Sequence, residues 1–252
     1  VQHDIGAINP AKYHAGLMRR ALDAGVAIVA PCRVTSLDEN PAGVSARTSC
    51  GTIVAADVLV ATNGYTGPEL PEFRRRIIPI ASHVAATQPL DPGVAASLIP
   101  KGRMAGDTRR VVIYHRLAPD GRRLLFGARV SIGEVGPAKA ARRMQREIGW
   151  VFPQLQDVPL SHCWHGYVGF TFDVLPHTGA RGHIHHCMGY CGSGISLATY
   201  FGAKAGLRIL GRQEGRTALD AVAFPRRFYY SQRPWFMPAA LVGYRLLDRI
   251  GR

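Results

Sequence analysis

The sequence predicts a mixed α/β fold in two parts: an incomplete, mostly parallel sheet domain, and an antiparallel-sheet domain inserted into it. Three stretches carry this. An apolar run in His183-Ile-His-His-Cys-Met stops at glycines spaced Gly189-x-x-Gly192-x-Gly194, and helical periodicity begins at once. That pattern is a strand, a tight turn and a helix N-terminus, where close-approaching backbone N–H groups and the helix dipole favour an anionic or electron-rich group. A second uninterrupted apolar run, Val58-Leu-Val-Ala61, ends in the polar loop Thr62-Asn-Gly-Tyr-Thr-Gly67. Such a run suggests a strand buried on both faces, and its carboxyl end is where open α/β sheets hold ligands. Between the two, Ala118-Pro-Asp-Gly121 joins alternating segments as a hairpin turn.

Composition bounds the rest. With 252 residues, 47% of them hydrophobic, the chain can bury a sizeable core in one or two domains. No apolar run approaches ~20 residues, so no membrane span is expected. The opening Val1-Gln-His-Asp-Ile5 has neither the basic residues nor the apolar block of a secretory leader. Five cysteines, an odd number without CxxC, point to a reducing, cytoplasmic location. The net charge is +14, and 27 of the 31 basic residues are arginine. They are scattered in pairs and triplets such as Arg74-Arg75-Arg76 and Arg142-Arg143, with no aromatic-interleaved stripe. A solvated surface attractive to anions is expected rather than a nucleic-acid interface.

In chain order, Asn9-Pro10 opens a helix over 11–24, stopped by Gly25. Strand-like pieces follow at 27–30, 33–37, 43–48 and 52–55, with turn-forming residues between them. The inserted region offers strands at 77–87, 111–117, 122–130 and 161–172, with one clear helix over 137–151. A short amphipathic helix over 239–250 ends an aromatic, Pro-containing tail, which is expected to pack on its own domain. The domain limits are therefore 1–74 with 172–252, and 75–171.

His183, His185, His186, Cys187 and Cys191 lie within nine residues and are all potential metal ligands. In a strand, however, His183, His185 and Cys187 share one face while His186 turns away, and the glycine turn accounts for Cys191. No metal site is expected.

With these elements in place, the chain resembles the D-amino-acid oxidase superfamily of FAD-dependent oxidoreductases, within it the glycine/sarcosine oxidase branch, and most nearly γ-glutamylputrescine oxidase-like amine oxidases. Four segments carry the resemblance: Ile8-Asn-Pro-Ala-Lys-Tyr13 with the helix ending Ala-Leu-Asp-Ala-Gly25; Val60-Ala-Thr-Asn-Gly-Tyr65; Tyr114-His-Arg-Leu-Ala-Pro-Asp-Gly-Arg-Arg-Leu-Leu-Phe-Gly127; and Val151-Phe-Pro-Gln-Leu155 through Gly189-Tyr-Cys-Gly-Ser-Gly194. The resemblance implies an incomplete FAD-binding Rossmann-like domain with an inserted substrate domain. It implies that Arg33 and Val34 meet the adenine end of FAD, and that Ala61, Thr62, Asn63 and Gly64 pass near the cofactor. Gly189, Tyr190, Cys191, Gly192, Ser193, Gly194, Ile195 and Ser196 would face the flavin pyrimidine ring, where backbone N–H groups favour the reduced state. The implied chemistry is oxidation of an amine C–N bond to an imine, with His83, Tyr114, Arg129, Trp164 and Tyr167 as substrate-pocket candidates.

Three departures qualify it. The cysteine that covalently holds flavin in sarcosine oxidases falls near Gly166, with Cys163 three residues early, so non-covalent FAD is expected. The lysine that clamps a substrate carboxylate falls at Ser196, which favours a larger amine such as a polyamine derivative. The opening Gly-x-Gly-x-x-Gly unit that seats the FAD pyrophosphate is not found in the sequence. The first reading is the C-terminal portion of an FAD-dependent amine or amino-acid oxidoreductase, completed by a further N-terminal segment or subunit; activity of this chain alone is doubtful, and it can lack FAD. The alternative is a non-catalytic truncated relative acting as a binding or partner subunit.

Overall fold

The computed structural model describes residues 6–129, 135–230 and 234–250. Residues 1–5 and Val130, used above for the start of the chain and the end of a strand, lie outside the described residues. The first elements are α1 (Pro10–Asp23), β1 (Val34–Asn40), β2 (Gly43–Thr48), β3 (Gly51–Ala55), β4 (Val58–Val60), α2 (Pro71–Arg74), β5 (Ile78–Thr87) and α3 (Pro92–Leu98). There follow β6 (Ala105–Gly106), β7 (Ile113–Leu117), β8 (Leu124–Ala128), α4 (Pro137–Val151), β9 (Leu160–Phe170), β10 (His177–Arg181), β11 (Ile184–Met188), α5 (Gly194–Ile209) and α6 (Met237–Ile250). They fall into two units, Val1–Pro79 with Val168–Arg233, and Ile80–Tyr167 with Pro234–Arg252.

In the first unit, α1 starts where the Asn9 side-chain oxygen accepts the Lys12 N–H at 3.2 Å and Pro10 presets the first turn. It ends before Gly25, whose φ of 83° suits glycine. The helix has no buried residue: Leu17, Met18 and Leu22 are 42, 45 and 49% exposed. The expected strand over 27–30 is not formed. An apolar stretch becomes a strand only when a neighbour supplies a ladder, and no described residue pairs with it.

β1, β2 and β3 form an antiparallel meander, with Leu37 opposite Ala46 and Val44 opposite Ala55. The other sheet of this unit has the order β10-β11-β4, with β11 parallel to β4 in the register Ile184 to Val58. Of β4 only Val60 is buried, so the expectation of burial on both faces is corrected. Among the described residues, the strand stands at the sheet edge with β11 as its single partner. Val44, Val60, Phe73, Ile77, Ile184 and Met188 form the core here, and Phe201 of α5 packs on Cys187 and Tyr190. Each of the larger side chains contributes about 1.5–3 kcal/mol by leaving water. β10 was not foreseen, because His177-Thr-Gly-Ala-Arg181 shows no apolar alternation. It is held by pairing with β11 and by His177, which contacts Asp173 at 3.1 Å and stacks on Phe224.

The second unit is built on a five-stranded sheet in the order β6-β7-β8-β5-β9. The foreseen hairpin joins β7 and β8: Ala118 N–H donates to the Arg123 carbonyl at 2.8 Å, and Gly121 sits at φ 67°. α4 has the limits read from sequence. It buries Ala140, Met144 and Ile148, four residues apart, in a core with Ile113, Leu124, Phe126 and Leu155. The tail helix α6 belongs to this unit, whereas the sequence limits placed 172–252 in the other domain. Asp248 is one tie to this unit: its carboxylate accepts the backbone N–H groups of Arg110 and Val111 at 2.9 and 3.2 Å. No described helix is long and apolar enough to cross a membrane.

Candidate functional site

The segment before β1 and the carboxyl end of β4 line a cavity of about 530 Å³ in the first unit. Its walls include Arg33, Val34, Val60, Ala61, Thr62 and Leu70, so four of the residues anticipated from sequence share one cavity. Arg33 is set by an exchange with Ser49: its N–H donates to Ser49 Oγ at 3.0 Å, and its carbonyl accepts the Ser49 N–H at 2.8 Å. The Arg33 guanidinium lies 3.7 Å from the Glu69 carboxylate, which also accepts the Gly67 N–H. The mouth is therefore polar and the floor, from Leu37, Val58 and Val60, apolar.

The loop after β4 turns at Asn63, whose φ of 46° is left-handed. Asparagine tolerates this because its short side chain can bond locally. Here the bond reaches further: Asn63 Oδ1 accepts the Gly189 N–H at 3.0 Å. A Cβ on Gly169 would stand 2.2 Å from that oxygen, and the Gly169 carbonyl accepts the Cys191 N–H at 3.1 Å. A Cβ on Gly189, itself at φ 83°, would stand 2.4 Å from Thr171 Cγ2. The glycine turn is thus held by Asn63, Gly169 and Thr171 together.

Tyr190 anchors the turn inward, with its hydroxyl 3.0 Å from Cys187 Sγ and donating to the Cys187 carbonyl at 3.1 Å. Burial, then the Cys187 neighbour, pushes this phenol far above its ordinary value, so it remains a neutral hydrogen-bonding group. Gly192, Ser193, Ile195 and Ser196 are exposed, and the start of α5 has no side-chain cap. The positive end of a 16-residue helix is left available to an electron-rich group.

The neighbouring histidines divide as the strand period requires. His185 Nε2 and His183 Nδ1 lie 3.2 and 3.5 Å from Asp57 Oδ1. His186 looks the other way, between Phe73 and Phe224, and burial followed by the nearby His177 and Arg76 lowers its pKa to about 4. Among the described residues, no three metal-ligating groups converge.

The five substrate-side candidates do not form one pocket. His83 is in register with Ala128, and Ala128 with Ile113, on the face that packs against α4. Tyr114 is in register with Gly127, one residue away and so on the opposite face, where its hydroxyl lies 3.2 Å from Ser82 Oγ. His83 and Trp164 line a second cavity, and Tyr167 joins that side through His165, whose ring is 5.2 Å from His83 and 5.7 Å from Tyr167. Arg129 follows β8 and is half-buried. Sequence reasoning missed Ser82, Gly169 and Thr171. Only Gly169 carried a signal, as a glycine inside a strand marks a close approach.

A parallel strand pair leading to a glycine turn and an uncapped helix, with an antiparallel sheet in the other unit, is a mixed α/β arrangement of the kind that holds nucleotide cofactors. A family profile described as FAD dependent oxidoreductase matches residues 1–206, and the chain belongs to that family. It is 33% identical over 257 residues to the Rhizobium meliloti protein "Probable oxidoreductase OrdL", covering 97% of this chain and 57% of that one. It is 31% identical over 211 residues to the gamma-glutamylputrescine oxidoreductase of Escherichia coli, covering 81% of this chain and 49% of that enzyme. Among solved structures, glycine oxidase from Geobacillus kaustophilus superposes with a TM-score of 0.67 at 18% identity, over 85% of this chain and 57% of that one. That likeness establishes the shared fold. The chain spans about half the length of the curated relatives it matches.

The residues present suit part of an FAD molecule. Gly192 and Ser193 of the turn are exposed, and the uncapped start of α5 can face the electron-rich or anionic forms of a ring edge. The cavity at Arg33, Val34, Ala61 and Thr62 is large enough for the adenosine end.

Proposed function

We propose that this chain is the flavin-ring and substrate portion of an enzyme that oxidises the C–N bond of an amine or amino acid to an imine. The amine loses a hydride equivalent from the carbon beside nitrogen and a proton from nitrogen, leaving C=N. Bound FAD supplies the acceptor for the hydride equivalent. The chain's own groups hold and orient. Backbone N–H groups of 189–196 that are not taken up by Asn63, Gly169 and Tyr190 would bind the flavin pyrimidine edge, Arg33 and Val34 would meet the adenine end, and Ala61, Thr62, Asn63 and Gly64 would pass near the cofactor. The Tyr114–Ser82 hydroxyl pair, with Arg129 two residues beyond Gly127, the register partner of Tyr114, is offered to the amine.

The observation that carries this reading is the hydrogen bond from Gly189 to Asn63, which fastens one proposed flavin loop to the other. Non-covalent binding follows from glycine at position 166 and from Cys163, whose thiol burial raises above its ordinary value. Ser196, in place of a carboxylate-clamping lysine, favours a longer amine over a small amino acid. The E. coli relative's name, with γ-glutamylputrescine in it, makes that compound the first substrate to try. The open edge of β4 and the unburied apolar side of α1 support completion by a further βαβ segment or subunit that seats the pyrophosphate. Five unpaired thiols support a reducing compartment such as the cytoplasm.

The test is a fusion in which the part of Rhizobium meliloti OrdL that this chain does not match is joined to it. The expected product is yellow, releases FAD on denaturation without covalent attachment, and reduces an artificial acceptor with γ-glutamylputrescine or another amine. A folded fusion that binds FAD but oxidises no amine or amino acid overturns the reading.

A further inference from the structure

The second unit contains a cavity of about 360 Å³ that the proposed oxidation does not use. It lies on the α4 side of the sheet, away from Tyr114, and its lining includes His83, Gly136, Pro137, Ala140, Trp164 and His165.

His83 is 0% exposed, and both ring nitrogens are buried without a hydrogen-bond partner. A neutral imidazole carries one N–H donor and one lone pair, and leaving such groups dry and unpaired is unfavourable. Buried polar side chains are paired in the great majority of proteins, so an orphan beside a cavity points to an occupant. Burial first, then the neighbouring His165 and Arg143, lowers the proton affinity of this ring, so it is read as the neutral imidazole.

The opposite wall is the start of α4, a 15-residue helix. Its N-cap is Gly136, followed by Pro137, with no side-chain cap and no acidic residue in the first turn. A helix start of this kind presents its positive dipole end with no anion of its own. The Trp164 indole adds apolar surface, and the volume is at the small end for a ligand pocket.

We propose that this cavity binds a small organic monocarboxylate, one carboxylate oxygen accepting from the His83 ring and the other facing the uncapped start of α4, with a short apolar tail against Trp164. The site is independent of the oxidation chemistry. It needs no metal and no cofactor.

The test uses the 252-residue chain, propionate as probe, and propionamide as its neutral counterpart, read by histidine ring NMR signals and by calorimetry. Propionate is expected to bind saturably and shift the His83 signals, while propionamide binds about tenfold more weakly or not at all. Two variants separate the contacts. His83→Leu is expected to abolish the response. Gly136→Asp, at a position where a Cβ meets nothing within 4 Å, supplies the helix with its own carboxylate and is expected to block propionate while raising Tm. Equal binding of acid and amide, unchanged binding in a folded Gly136→Asp variant, or no saturable signal with the native chain overturns the proposal.

Discussion

The Asn63 side-chain oxygen accepts the Gly189 backbone N–H at 3.0 Å across 126 residues of sequence. Gly189 is buried, so no water can substitute for that oxygen. The bond joins the loop after β4 to the turn before α5, and Gly169 leaves just enough room for it.

Asn63→Ala leaves the Gly189 donor unpaired, and a loss of about 1–3 kcal/mol in unfolding free energy is expected. Gly169→Ala, whose Cβ would press on the same oxygen, is expected to lose a comparable amount. Urea unfolding of both variants checks this; an Asn63→Ala midpoint equal to that of the native chain would show the bond to be without weight.

On the sheet of the second unit, the Tyr114 ring lies flat over Gly127, and a Cβ there would meet Tyr114 Cε2 at 2.0 Å. Gly127→Ala must therefore move the ring and break the Tyr114–Ser82 hydrogen bond. In the FAD-loaded fusion it is expected to lower kcat/KM for amines about tenfold or more while flavin content is kept. Steady-state kinetics beside an absorption spectrum separate the two.

His186 gives stability a pH dependence of definite sign. Its pKa is lowered from 6.5 to about 4 in the folded chain, first by burial and then by nearby positive groups. Between those values the unfolded chain binds a proton that the folded chain refuses, so stability falls as pH drops from 6.5 toward 4. Above 6.5 this contribution is complete. His186→Phe keeps an aromatic ring against Phe73 and Phe224 and is expected to flatten that slope, measured as the urea midpoint against pH.

Asp248 ties α6 to the second unit through the N–H groups of Arg110 and Val111. Backbone hydrogen bonding from Arg110 leads the effects that hold its carboxyl below the ordinary carboxylate range. Asp248→Ala is expected to speed hydrogen exchange and proteolysis across 237–250 and to leave the exchange of β5 and α4 unchanged. Uniform acceleration throughout the unit would contradict a local tether.

Much of this architecture could be read from residues alone. The helix at 137–151 was legible because Pro137 opens it and Ala141, Met144 and Ile148 recur at helical spacing, although the structure buries Ala140 rather than Ala141; the β7–β8 hairpin was legible because Pro-Asp-Gly permits one tight reversal. The strand expected at 27–30 was not, since a ladder is made by a partner rather than by the segment. β10 escaped for the converse reason: its polar residues become a strand only because β11 lies beside them.

The sequence by itself determined the local elements, the glycine turn and the family resemblance, because backbone permission and hydrophobic period are properties of neighbouring residues. Tertiary structure alone decided which distant groups meet. It seated Asn63 on Gly189, placed His83 and Tyr114 on opposite faces of one sheet, and assigned α6 to the second unit. Each of these depends on strand register or on a single long-range hydrogen bond, and a register shift of one residue reverses every face without changing the local pattern.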